Sequence, residues 1–169
     1  SNVAVGYDAL NANTTASNNT AVGKNALLAN TTGGNNTAMG IQALDANTTG
    51  SENVGLGTNA IGANTTGANN VAVGGGALQT NTTASSNTAV GFRALEANTT
   101  GSGNNALGQG AGEKITTGSN NICIGYVAGA HNQYLATGDG NVIIGNYADV
   151  SNVDTDYANV IGYDVIGGG

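Results

Sequence analysis

The sequence predicts an all-β fold, a parallel β-solenoid of about ten 17-residue coils, and three observations carry that reading. Glycine recurs at Gly6, Gly23, Gly40, Gly57, Gly74, Gly91, Gly108 and Gly125 with a constant seventeen-position step, then at Gly145 after a step of twenty and at Gly162 after seventeen again. An aliphatic residue precedes every one of these glycines: Val5, Val22, Met39, Leu56, Val73, Val90, Leu107, Ile124, Ile144 and Ile161. Proline is absent from all 169 residues, as suits a stack in which each backbone N–H is needed by a neighbouring coil. A disordered low-complexity tract has no reason to keep an aliphatic residue before each marker glycine.

Each element of the unit has a physical reason. Asn lies four before the glycine at Asn2, Asn19, Asn36, Asn53, Asn70, Asn87, Asn104, Asn121 and Asn141, and three before it at Asn159. Stacked copies of this Asn make an amide ladder. The short apolar piece that follows, such as Val3-Ala4-Val5, is β-prone. The marker glycine either turns the chain at positive φ or lets coils approach closely. Ala lies three after it from Ala9 to Ala148, followed in six copies by Leu10, Leu27, Leu44, Ile61, Leu78 and Leu95, and Asn-Thr-Thr closes the unit. A unit this short cannot be a helical repeat, which runs to about 33 residues or more. The fixed Gly, Asn and Thr also oppose helix. With a rise of about 4.8 Å per coil, ten coils make a rod of roughly 48 Å.

Strand alternation gives an expectation about faces. The column Val5 to Ile161 is expected to point into the coil. The tiny column Ala4, Ala21, Ala38, Ala72, Ala89 and Ala106, with Gly55 and Cys123, is then expected to face out as an assembly interface for further chains. The Ala9-Leu10 pair is expected to place apolar groups on both faces. Residues 1–129 form the regular repeat. Residues 130–169 continue it irregularly, with an insertion at about 133–140. In copies seven and eight Gly112 and Gly129 replace Leu, and Ile143 takes an Ala position in copy nine. Interchain packing is therefore expected to change near residue 140.

Charge restricts the partners. Charged residues are 8% of the chain, against roughly 25% in globular proteins. The net charge is −7, with Lys24, Arg93 and Lys114 as the only cations. That argues against nucleic acid, whose binding draws on Lys and Arg, and against an anionic membrane surface. No apolar run is long enough to span a bilayer, so no membrane insertion is expected. Cys123 is alone, which leaves no internal disulfide and reads as a small buried residue.

Candidate chemistry is sparse. His131 has no triad partner at a recognisable spacing. Asp139-Gly140 and Asp154-Thr155-Asp156 hint at calcium, yet a calcium site needs six to eight oxygens. No metal and no cofactor are expected. Asp45 and Glu96 share a repeat phase but sit three coils apart, so no enzyme is expected. The Asn-x-Thr sequons at Asn13, Asn18, Asn30, Asn35, Asn47, Asn64, Asn81 and Asn98 read as ladder and turn residues. The second Thr of each unit, at Thr15, Thr32, Thr49, Thr66, Thr83, Thr100 and Thr117, forms a rank of hydroxyls, with Asn13 and its copies on the same face. This weak candidate binding face resembles that of ice-binding solenoids.

Asn19-Thr20-Ala21-Val22-Gly23, with Asn-Ala-Leu and Asn-Thr-Thr-Gly, resembles the shaft repeats of phage tail-fibre and tail-spike proteins. Asn2-Val3-Ala4-Val5-Gly6 and Asn121-Ile122-Cys123-Ile124-Gly125 are similar to the head repeats of trimeric autotransporter adhesins. The resemblance implies a left-handed parallel β-roll wound as a homotrimeric fibre, extracellular, on a virion tail or bacterial cell surface. It implies a structural role in attachment, with itself as partner and a host-surface receptor or glycan beyond. An ice-binding solenoid using the Asn-Thr-Thr face, or a subunit of a self-assembling extracellular filament, is the alternative.

Overall fold

A computed structural model describes residues 1–132 and 135–167; Gln133 and Tyr134, inside the expected insertion, lie outside the described residues. The strands are β1 (Val3–Val5), β2 (Thr20–Val22), β3 (Thr37–Met39), β4 (Val54–Leu56), β5 (Val71–Val73), β6 (Thr88–Val90), β7 (Asn105–Leu107), β8 (Ile122–Ile124), β9 (Val142–Ile144), β10 (Asp149–Val150), β11 (Asn159–Ile161) and β12 (Ile166–Gly167). Ten of them, β1 to β9 and β11, form one parallel sheet in chain order. The protein is a parallel β-solenoid of about ten turns, and each turn closes one sequence repeat later, as in Val5↔Val22 and Val22↔Met39. Between β8 and β9 the step is longer, Ile122↔Val142, and the ordinary step returns between β9 and β11, Val142↔Asn159. The extra residues therefore leave the register of the sheet unchanged. β10 and β12 add a short parallel pair in the last coils.

The marker glycine does both jobs the sequence left open. Its φ is 131–146° in all ten copies, a region that essentially only Gly occupies. A Cβ on any of the first nine would also lie 2.5–2.7 Å from the carbonyl carbon of the marker glycine in the next coil.

The structure reverses the expected inside and outside of the strand. Ala21, Ala38, Ala72 and Ala89 are 0% exposed and Ala106 is 2%. Ala4 holds the same register in the first coil, where it is exposed. The aliphatic column faces out instead: Val5, Met39, Leu107 and Ile161 are at least half exposed. The Ala residues are therefore core of a single chain, not an interchain contact. The reason lies past the marker glycine. Leu10, Leu27, Leu44, Ile61, Leu78 and Leu95 have φ of 52–55°, a left-handed conformation that breaks the two-residue alternation. Ala26 and Leu27, adjacent in sequence, are consequently both fully buried. The Leu crosses the coil towards the strand, where a Cβ at Gly55 would lie 3.4 Å from the Leu44 side chain, so only a small residue fits opposite it. Left-handed backbone costs about 1–2 kcal/mol at a non-Gly residue, and burying a Leu returns about 1.5–3 kcal/mol.

Polar ladders run beside this core. The Oδ1 of Asn19 accepts the N–H of Asn36 at 2.9 Å, and the Asn36 Nδ2 donates to the Gly50 carbonyl at 2.9 Å. A second ladder joins buried amides from Asn30 to Asn98: Asn47 donates to Asn30 at 2.8 Å, Asn64 to Asn47 at 2.8 Å, Asn81 to Asn64 at 2.9 Å and Asn98 to Asn81 at 3.0 Å. These Asn residues were expected on the Thr face. They lie inside. As sequons, Asn30, Asn47, Asn64, Asn81 and Asn98 are ladder residues, while exposed Asn18 and Asn35 sit in turns at φ 63° and 59°.

The irregular copies conserve core volume. Gly112 replaces Leu, and Ile115 replaces the ladder Asn in the same coil. A Cβ on Gly112 would lie 3.1 Å from the Ile115 side chain, which has entered the vacated space. At Gly129 the space is taken by the Cys123 sulfur and the end of Ile143. Ile143 is fully buried, so it is accommodated within its own chain and gives no reason for interchain packing to change near residue 140. Ile115 also ends the amide ladder, because it offers no donor. Asn98 Oδ1 is left buried without a partner.

Candidate functional surfaces

Three surfaces stand out on this scaffold. The first is the outer face of the long sheet. Two ranks project from it. One is the aliphatic column from Val5 to Ile161; the other, two residues earlier, runs Val3, Thr20, Thr37, Val54, Val71, Thr88, Asn105, Ile122, Val142 and Asn159. Neither rank carries a charge. Together they cover roughly 340 Å², taking about 48 Å along the stack and about 7 Å between ranks. The first rank is wholly aliphatic, while Thr20, Thr37, Thr88, Asn105 and Asn159 make half of the second polar.

The second surface is the Thr rank. Thr15, Thr32, Thr49, Thr66, Thr83, Thr100 and Thr117 are all exposed, as the sequence suggests. The Thr before each is half-buried or exposed and spends its hydroxyl on the stack: Thr31 Oγ1 donates to the Thr48 carbonyl at 3.0 Å, and Thr48 to that of Thr65 at 2.9 Å. Backbone bonds from coil to coil hold the rank, as from the Thr32 N–H to the Thr48 carbonyl and from the Thr49 N–H to that of Thr65, both at 3.2 Å.

The third is an aromatic corner on the last coils. Tyr126, Tyr147 and Tyr163 form a column, with ring centroids 5.2 Å and 5.9 Å apart at 82° and 85°. The His131 ring lies 4.7 Å from that of Tyr147, and its Nε2 is 4.0 Å from Asp164 Oδ1. Desolvation, then the neighbouring Tyr126 and Tyr163, raises the Tyr147 phenol above its ordinary pKa. Tyr147 and Asp164 both hold positive φ, 61° and 50°, which turns their side chains to this corner.

The acidic residues serve the backbone. Asp139 Oδ1 accepts the Ser119 N–H at 2.6 Å and Asp156 Oδ1 the Asp139 N–H at 2.7 Å. They continue a ladder in which Ser51, Ser85, Ser102 and Ser119 hydroxyls accept the same N–H one coil back. Buried Asp149 accepts the N–H groups of Asn132 and Val150. Among the described residues no three His, Cys, Asp or Glu side chains gather at a metal position. Asp45, whose burial raises its carboxyl pKa, is three coils or roughly 14 Å from Glu96. Cys123 is 1% exposed in the Ala column, and burial pushes its thiol up to about 12. Among the described residues no helix is long and apolar enough to cross a membrane.

No family model matches the sequence, and no curated protein or solved structure matches it.

The outer ranks of the sheet are the surface that sequence reasoning misplaced. A signal for them does exist in the repeat. In the first seven coils the inward positions are Asn and Ala throughout but for Gly55, whereas the outward ones vary among Val, Thr and Asn and among Val, Met and Leu. A close-packed interior tolerates less change of volume than a surface.

Proposed function

We propose that the chain is the structural shaft of an extracellular or virion fibre that serves attachment, and that it is not an enzyme. In this reading copies of the chain wind together as a left-handed homotrimer along the aliphatic rank from Val5 to Ile161. That rank is the observation that carries the proposal: every one of its ten positions is aliphatic and either exposed or half-buried, without a charge among them. The Ala column has no part in the contact. The resemblance of Asn19 to Gly23 to fibre shaft repeats supports both the number three and the location. A host-surface receptor or glycan is the further partner, and nucleic acid is not one.

Light scattering behind a sizing column tests this. The expected mass is three chains. The double substitution Met39→Lys and Val73→Lys places charges on the rank without touching the core. It is expected to leave the far-ultraviolet circular dichroism spectrum unchanged and to reduce the mass to one chain. A single-chain mass for the unsubstituted protein removes the fibre reading. The Thr rank supports a second reading, ice binding, because seven consecutive coils expose one Thr each at the same place. Thr49→Tyr is then expected to abolish thermal hysteresis, and absence of hysteresis in the parent protein eliminates that reading.

A further inference from the structure

The aromatic corner has no role in a shaft. The solenoid needs none of its side chains for stacking, since Tyr126, Tyr163, His131 and Asp164 are all exposed. The chain's only His, three of its six Tyr and one carboxylate nevertheless converge there, from three successive coils. His131, Tyr147, Tyr163 and Asp164 line a depression of about 300 Å³. Tyr163 is 71% exposed, so its ring is open to a ligand. The edge-to-face order of the column sets neighbouring rings nearly perpendicular. Such rings offer a π-face and a ring edge on adjoining walls.

The charge around the corner selects the ligand. The Asp164 carboxylate lines the depression, and among the described residues no Lys or Arg does. An anion is repelled there. A cation is drawn in, and a ring face attracts a weakly hydrated organic cation best. A Lys ammonium is compact and strongly hydrated, so it gains less from an open site.

We propose that this corner binds a quaternary ammonium group, held against the exposed ring of Tyr163 beside Tyr147, with the Asp164 carboxylate supplying the opposite charge. The inference does not depend on the fibre reading, because every group involved comes from one chain.

The test is a proton NMR titration of the full chain with choline chloride. Sodium chloride at matched ionic strength and 3,3-dimethylbutan-1-ol, the uncharged isostere, serve as controls. Choline alone is expected to shift the Tyr ring resonances saturably. Tyr7, exposed but solitary in the first coil, is the internal reference and should not move. Tyr163→Ala is expected to weaken choline binding about fivefold, and Tyr163→Phe to preserve it. Asp164→Asn, which changes no volume, is expected to weaken it by a similar factor and keeps the test decisive should Tyr163→Ala fail to fold. Equal shifts with the uncharged isostere overturn the proposal. So do shifts with methyl glucoside in the absence of any with choline, or unchanged choline binding in a folded Asp164→Asn protein.

Discussion

Breaking the buried amide ladder in its middle should cost far more than shortening it at its end, although the two substitutions are chemically identical. Asn64 is fully buried and donates to Asn47 Oδ1 and to the Gly67 carbonyl, while its own Oδ1 accepts from Asn81. In Asn64→Ala the Gly67 carbonyl keeps a partner, because Asn53 Nδ2 also donates to it at 2.9 Å. Asn47 Oδ1 and one Asn81 N–H do not. Two buried polar groups without partners cost about 1–3 kcal/mol each, so the expected loss is about 2–6 kcal/mol. Asn98→Ala orphans Asn81 Oδ1 but deletes Asn98 Oδ1, which already lacks a partner. The number of unpaired groups is unchanged, and the Gly101 carbonyl retains its bond from Asn87. Its expected loss is about 1 kcal/mol, one ordinary hydrogen bond. Both variants remove the same atoms from the same column, so differences in cavity and side-chain entropy largely cancel. Urea unfolding monitored by circular dichroism, with unchanged slopes, measures the difference. Equal losses in the two variants would refute the ladder as the source of the stability.

Other outcomes follow from the same geometry. Gly57→Ala should abolish cooperative folding, seen as loss of the thermal transition, because it adds backbone strain of about 1–3 kcal/mol to a collision with the Gly74 backbone. Ala38→Arg should unfold the coil itself rather than merely dissociate chains, since Ala38 is 0% exposed; a folded single-chain product by sizing and circular dichroism would contradict its placement. Cys123 gives a pH dependence. The unfolded thiol loses its proton above its ordinary value of 9.0, and the folded one only near 12. The folded state then binds the extra proton, so stability falls by about 1.4 kcal/mol per pH unit across that window. Cys123→Ala, the residue most copies carry, should flatten that slope in thermal melts between pH 9 and 11 relative to the parent protein. The same thiol should react with iodoacetamide at pH 8 only in step with unfolding.

The repeat alone determined the solenoid. A constant short period with an unbroken aliphatic–Gly pair admits little but stacked coils, and the register of the ten-stranded sheet follows that period residue by residue. The exposed Thr rank and the buried Cys123 were legible too, because each depends only on position within one unit. Which side of the strand is the interior was not. Alternation says that Ala21 and Val22 point opposite ways, but it cannot say which way is in. That was decided across the coil, where Leu44 in a left-handed conformation reaches the strand, 3.4 Å from where a Cβ on Gly55 would lie, and leaves room for nothing larger than Ala. The exchange of Leu and Asn for Gly112 and Ile115 has the same character: each residue is anomalous in its own column, and only their contact in space shows one volume filled from two directions. The aromatic corner likewise required the fold: Tyr126 and Tyr163 each directly follow a marker glycine, but Tyr147 lies one position later in its unit, and the three rings meet only when the coils stack.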